Sequence, residues 1–152
     1  MLDAIKQYFS DHIETPQVED GDSAKHAINI AAAALLIEVG RADFEFSDTE
    51  QARIVTLLRA NLHITDSEIT DLIDLAKRES TESTSLHGFT RLIHENYSHI
   101  QKRKLMEQLW CVALADGRID RYEDYLLRKI ADLIYLSHKD FIQAKLRAMG
   151  EQ

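Results

Sequence analysis

The sequence predicts an all-α fold, a single domain of about seven or eight helices containing two pseudo-repeated helical units, and three observations carry that reading. The 152-residue chain holds only 5 Gly and 1 Pro. Sheet proteins need many tight turns, and tight turns use those residues, so their scarcity argues for few turns and much helix. Apolar residues recur at helical spacing along almost the whole chain. Helix-start signals also return with regularity: Ser47 with Glu50, Thr65 with Glu68, Ser98 with Gln101, Asp120 with Glu123, and Ser137 with Asp140 as a weaker fifth. In such a box the first side chain accepts from an orphan backbone N–H, while the fourth reaches back to the cap.

The elements follow in order. Leu2, Ile5 and Phe9 suggest a short first helix, stopped near Thr15-Pro16 because the residue before proline avoids the helical region. Val18 to Ser23 reads as an acidic connector, so residues 1–23 form an N-terminal helix and connector ahead of the domain at 24–150. Ala24 to about Arg41 is a long helix whose Ala31 to Ala34 let another helix approach closely. The boxes place further helices at 48–62, 66–79, 99–115, 121–135 and 138–148, and Phe89, Leu92 and Ile93 mark one more at 86–96. Ser80 to Ser85, polar throughout, reads as the midpoint loop.

Composition narrows the function classes. With 18 Lys+Arg against 26 Asp+Glu the formal charge is −8, which repels phosphate backbones and anionic lipid, so no nucleic-acid or membrane partner is expected. A chain of this length buries roughly 68–70% of its unfolded surface, so no metal is needed merely to hold it together. The single Cys forbids an intrachain disulfide. Asp3, Lys6 and Gln7 interrupt the first apolar stretch, and Asn29 and Glu38 interrupt the longest; neither a signal peptide nor a membrane span fits, and the expected location is cytoplasmic.

Sliding the chain against itself by 73 residues aligns Ala42-Asp43-Phe44-Glu45-Phe46-Ser47-Asp48-Thr49-Glu50 with Ala115-Asp116-Gly117-Arg118-Ile119-Asp120-Arg121-Tyr122-Glu123. Leu36 and Val39 match Leu109 and Val112; Ile54 and Leu57 match Leu127 and Ile130. After a one-residue slip, Ile64-Thr65 matches Leu136-Ser137 and Ile69 matches Phe141. The units, about 25–79 and 98–148, each read as a helix, a short acidic loop, a second helix and a capped third, a pair that commonly packs about a pseudo-two-fold.

The acidic loops invite a metal test. Aligning Gly117 with the invariant Gly of a calcium-binding helix–loop–helix puts Glu123 at the bidentate position. The first and third ligand positions then fall on Val112 and Leu114, which cannot coordinate, so this is not an EF-hand. What survives is a smaller oxygen cluster: Asp116, Asp120 and Glu123 in one copy, Asp43, Ser47 and Glu50 in the other. Hard cations want about six oxygens, so Ca²⁺ or Mg²⁺ would bind weakly unless both loops or a second chain converge. Helix capping alone accounts for Ser47, Glu50, Asp120 and Glu123, yet leaves the equal spacing of Asp43 and Asp116 without a reason. Both readings stay open at this level.

At these residues the chain resembles the TerB-like family, the tellurite resistance protein B group, which also includes the N-terminal region of certain membrane-anchored J-domain co-chaperones. The resemblance rests on Ala42-Asp43 with Glu50, on Ala115-Asp116-Gly117-Arg118-Ile119-Asp120 with Glu123, and on Ile130-Ala131-Asp132-Leu133 with Phe141. It covers about residues 25 to 148. It implies an all-α fold in two related halves, a link to tellurite and stress response, divalent-metal binding by acidic residues, and no established enzymatic reaction. Carried over residue by residue, the implied metal set is Asp43, Glu50, Asp116, Asp120 and Glu123. Phe44 stands where the family pattern has Gly and Ser47 where it has Asp, so the first loop departs from it.

Other constellations favour structural roles. No two of the seven His stand i, i+4 on one helix face, so surface histidines are expected rather than a transition-metal site. Cys111, beside Trp110 and Val112, reads as a buried small hydrophobe. Lys102-Arg103-Lys104 reads as a solvated basic turn, and no Gly-rich phosphate loop is present. Two function classes remain: a non-enzymatic module whose acidic loops bind a divalent cation and tune contacts with stress-response proteins, or a pure protein-interaction domain, homodimeric or with another partner, whose acids are only caps. A hydrolase would need a cleft with a perturbed acid, which sequence cannot supply.

Overall fold

The computed structural model describes residues 2–13, 22–42, 47–82, 88–115 and 121–150, and the fold is all-α. Eight α-helices occur among these residues, and no strand: α1 (Leu2–Tyr8), α2 (Asp22–Ala42), α3 (Asp48–Asn61), α4 (Asp66–Glu82), α5 (Gly88–Asn96), α6 (His99–Ala113), α7 (Arg121–Leu133) and α8 (His138–Gly150). A π-helical turn, Phe9–Ile13, continues α1. None of the described helices is long and apolar enough to cross a membrane.

Helix α2 is the axis of the molecule. Every residue from Ala27 to Gly40 is buried, as expected of a helix that is apolar on all sides. It packs against the π-helical turn, α3, α4, α5, α6 and α7. The alanines at 31–34, each no more than 1% exposed, make room for so many neighbours around one cylinder. Ile5, Phe9 and Ile13 of the N-terminal segment lie in the same core, and the Tyr97 hydroxyl donates to the Ile13 carbonyl at 2.9 Å, tying that segment to the end of α5.

The internal repeat is visible in the packing. In each unit the first helix packs on the third, α2 on α4 and α6 on α8. Between units the contacts are reciprocal: α2 meets α6, α2 meets α7, and α3 meets α6. The turns before the third helices also correspond, since His63 and Tyr135, in register once the one-residue slip is counted, carry the described non-glycine positive φ angles, 56° and 59°. Each is followed by a buried apolar residue, Ile64 or Leu136, and then by the hydroxyl residue of the next helix start, Thr65 or Ser137.

Helix starts fall where the boxes put them. Ser98 and Gln101 form a complete reciprocal box, and so do Thr65 and Glu68. Ser47 caps the Glu50 N–H at 3.1 Å, and Ser137 does the same for Asp140. Asp120 lies outside the described residues. Two expectations are corrected. The polar stretch taken as a loop from Ser80 is helical through Glu82, because Ser, Thr and Glu tolerate a helix that tertiary packing has already nucleated. The solvated basic turn is solvated only in part: Lys102 is buried, 8% exposed, with its Nζ 2.9 Å from His94 Nδ1.

Candidate functional site

The acidic loops run into the N-termini of α3 and α7. Asp43, Asp116 and Asp120 lie outside the described residues; Glu50 and Glu123, the third residues of α3 and α7, are described. Their positions in the helices are equivalent, and their surroundings differ.

Glu50 is half-buried. Its backbone N–H is taken by Ser47 Oγ, but its side chain does not complete the box, and Oε2 is closed to solvent with no hydrogen-bond partner. A carboxylate oxygen withdrawn from water without a partner is costly, so a cation beside it would be stabilised. Next to it, Gln51 accepts a hydrogen bond from Arg41 Nη1 at 3.0 Å, fastening the start of α3 to the end of α2.

Glu123 is 3% exposed, and its Oε2 accepts from Arg53 Nε at 2.8 Å. Arg53 stands one helical turn after Glu50 on α3, so the ion pair joins the second helix of one unit to that of the other. The two acidic loops therefore feed helices that meet through a side-chain contact. The resident cation at Glu123 is a guanidinium. Among the described residues no three His, Cys, Asp or Glu side chains stand close enough together to hold a metal ion. The donor set thus divides: Glu50 suits an added cation, whereas Glu123 already has a positive partner.

Sequence reasoning did not find Arg53. No local pattern links it to Glu123, 70 positions away. It also passed over Glu38, noted only as an interruption of an apolar run. That carboxylate, 3% exposed, accepts from the Phe89 and Thr90 N–H groups at 2.9 and 3.0 Å and from Thr90 Oγ1 at 3.1 Å, capping α5 from the middle of the core. A lone acid in the otherwise apolar run from Ile30 to Val39 was the available signal.

The remaining candidates serve structure. His26 Nε2 meets Glu68 Oε2 at 3.0 Å, and His99 Nε2 meets Asp140 Oδ2 at 3.0 Å. Burial pushes the Glu68 carboxyl up, but hydrogen bonds from His26 and from the Thr65 N–H and hydroxyl outweigh it and hold the group below its ordinary value. Cys111, in no disulfide, is partly buried and packed against the core.

The described residues thus define an all-helical module of two reciprocally packed units joined by an ion pair between α3 and α7. The family model of tellurite resistance protein TerB matches residues 29–146, and the chain belongs to that family. Comparison with curated proteins and with solved structures gives no match.

Proposed function

We propose that this TerB-family module works by binding rather than catalysis, taking up a divalent cation, Ca²⁺ or Mg²⁺, where its acidic loops enter α3 and α7, in a cytoplasmic tellurite- or stress-response setting. The observation that carries the reading is the Glu50 Oε2 atom, withdrawn from water and without a hydrogen-bond partner, on the helix that also reaches Glu123. Asp43, Asp116 and Asp120 would complete the oxygen set, and a bound cation would offset the charge of these carboxylates. The tellurite part of that setting rests on the family's description. Isothermal titration with Ca²⁺, Mg²⁺, Mn²⁺ and Zn²⁺ tests the proposal. Wild type should give saturable heat that Asp116→Ala and Glu50→Gln weaken; no heat at millimolar metal, with thermal midpoints equal in wild type and Asp116→Ala, removes the metal.

A second reading has its own support. The Arg53–Glu123 ion pair and the Ser47 cap give acidic-loop positions structural duties that need no ion, as expected of a pure interaction or homodimerisation domain. Under it, Asp116→Ala leaves capture of a protein partner, or the dimer's sedimentation, unchanged.

A further inference from the structure

Helix α8 carries apolar side chains on two faces. Phe141, Ala144 and Ala148, each 2% exposed, turn into the core, where α8 rests on α6 and α7. Ile142, Leu146 and Met149 follow one another at i, i+4 and i+7 along a second stripe. Leu146 is 59% exposed and Met149 51%, and Ile142 is only partly buried. We propose that this stripe is a docking surface for an acidic amphipathic helix of a partner protein.

The internal repeat shows that the fold does not demand apolar residues there. Helix α4 is the equivalent third helix of the first unit, and Thr70, Asp74 and Lys77, all exposed, stand at the positions of Ile142, Leu146 and Met149. The same outward face is thus polar in one unit and apolar in the other. Single exposed Leu or Met residues are ordinary, whereas a run at this spacing matches the anchors by which one helix lies along another.

The charges beside the stripe select the occupant. Lys139 stands three residues before Ile142 and Lys145 four before Met149, which puts a lysine on each edge of the stripe. Lys139 is exposed, and Lys145 holds its Nζ 5.3 Å from the centre of the Trp110 ring on α6. The acid of α8, Asp140, already meets His99 Nε2 at 3.0 Å, and Arg147 reaches Glu107 of α6 at 3.7 Å. In a chain of net charge −8 this rim is basic. A second copy laid on the same face would set lysine against lysine, and the rest of the chain repels anionic lipid. A helix with leucine-like side chains on one face and carboxylates beside them meets both the stripe and its lysines. This surface rests on neither reading of the acidic loops.

The test is a ¹H–¹⁵N NMR titration of the full chain with three capped peptides: acetyl-AELLEELLAELLEEL-amide, the same sequence with Lys for every Glu, and the same sequence with Ala for every Leu. The first should give saturable shifts centred on residues 139–149, and the other two none. The double variant Leu146→Ser/Met149→Ser, at exposed positions, should keep the spectrum of the folded chain and lose about tenfold or more in affinity. Lys139→Glu/Lys145→Glu should show a several-fold loss that shrinks at high salt. Shifts that do not saturate, equal binding of the Lys or the Ala peptide, or an unchanged affinity in Leu146→Ser/Met149→Ser overturns the proposal. So does a wild-type dimer in sedimentation that this variant separates, or wild-type binding to phosphatidylserine vesicles that it abolishes, because those results give the face to a second copy or to a membrane.

Discussion

The most consequential single side chain outside the acidic loops is Glu38. A carboxylate 3% exposed and receiving three hydrogen bonds from the first residues of α5 is held by both the donors and the positive end of that helix. Glu38→Gln keeps an acceptor but loses the charge and should cost about 1–3 kcal/mol in urea unfolding, whereas Glu38→Ala leaves the α5 donors unmatched and should cost about 3–5 kcal/mol. Glu68 makes a prediction of different sign in pH. Its carboxyl sits below its ordinary value of 4.5, so the unfolded chain takes up this proton first as pH falls. The contribution to stability is therefore full above 4.5 and is lost as pH drops through the lowered folded value. Glu68→Gln should flatten that acid limb of the stability–pH profile, and His26→Ala should flatten it in part, both read as urea midpoints across a pH series. Neither the α5 cap made by Glu38 nor the His26 partner of Glu68 could be seen locally: Glu38 accepts from residues 51 and 52 positions on, and His26 lies 42 positions before Glu68.

At the scale of elements, helix starts were legible because capping is chemistry within four residues. Ser47, Thr65, Ser98 and Ser137 each accept from the backbone N–H three positions on. Ser98→Ala, which dismantles a complete box at a part-buried helix start, should cost about 1 kcal/mol, more than Ser47→Ala, where only half the box is formed. Helix ends were less legible. The sequence expectations of 62 and 135 overrun α3 and α7 because the terminating residues are not glycine: His63 and Tyr135 take left-handed φ values of 56° and 59°. After α7 the Leu136 N–H returns to the Ala131 carbonyl at 2.9 Å, closing the turn that Tyr135 makes. Exposed His63 has no such compensating ring contact as Tyr135 has with His94, so His63→Gly should raise stability by about 0.5–1 kcal/mol, measured by thermal and urea unfolding. The π-helical turn at Phe9–Ile13 had no sequence signal: it is set by the need to bury Phe9 and Ile13 against α2 together.

At the scale of the whole molecule, the repeat and the charge meet at one contact. The 73-residue correspondence made α3 and α7 equivalent on paper, and reciprocal packing of α2 with α7 and of α3 with α6 realises that equivalence. Equivalence of position did not bring equivalence of environment, because Arg53 of the first unit pairs with Glu123 of the second. In a chain of net charge −8, a guanidinium of α3 thus pairs with the buried acid in the first turn of α7. Replacing Arg53 by Gln takes the counter-charge from a carboxylate that is 3% exposed, while Arg53 itself is 41% exposed and partly screened by water. The expected loss is about 1–3 kcal/mol, and a double-mutant cycle with Glu123→Gln should return a favourable coupling of about 0.5–3 kcal/mol between the two units. The same variant separates the functional readings. If the acidic loop ends bind a divalent cation, Arg53→Gln removes a competing cation and adds one net negative charge, so Ca²⁺ or Mg²⁺ should bind more tightly and restore part of the lost thermal stability. If the acids only cap and pair, added metal leaves the Arg53→Gln midpoint where it was, as it does for Asp116→Ala.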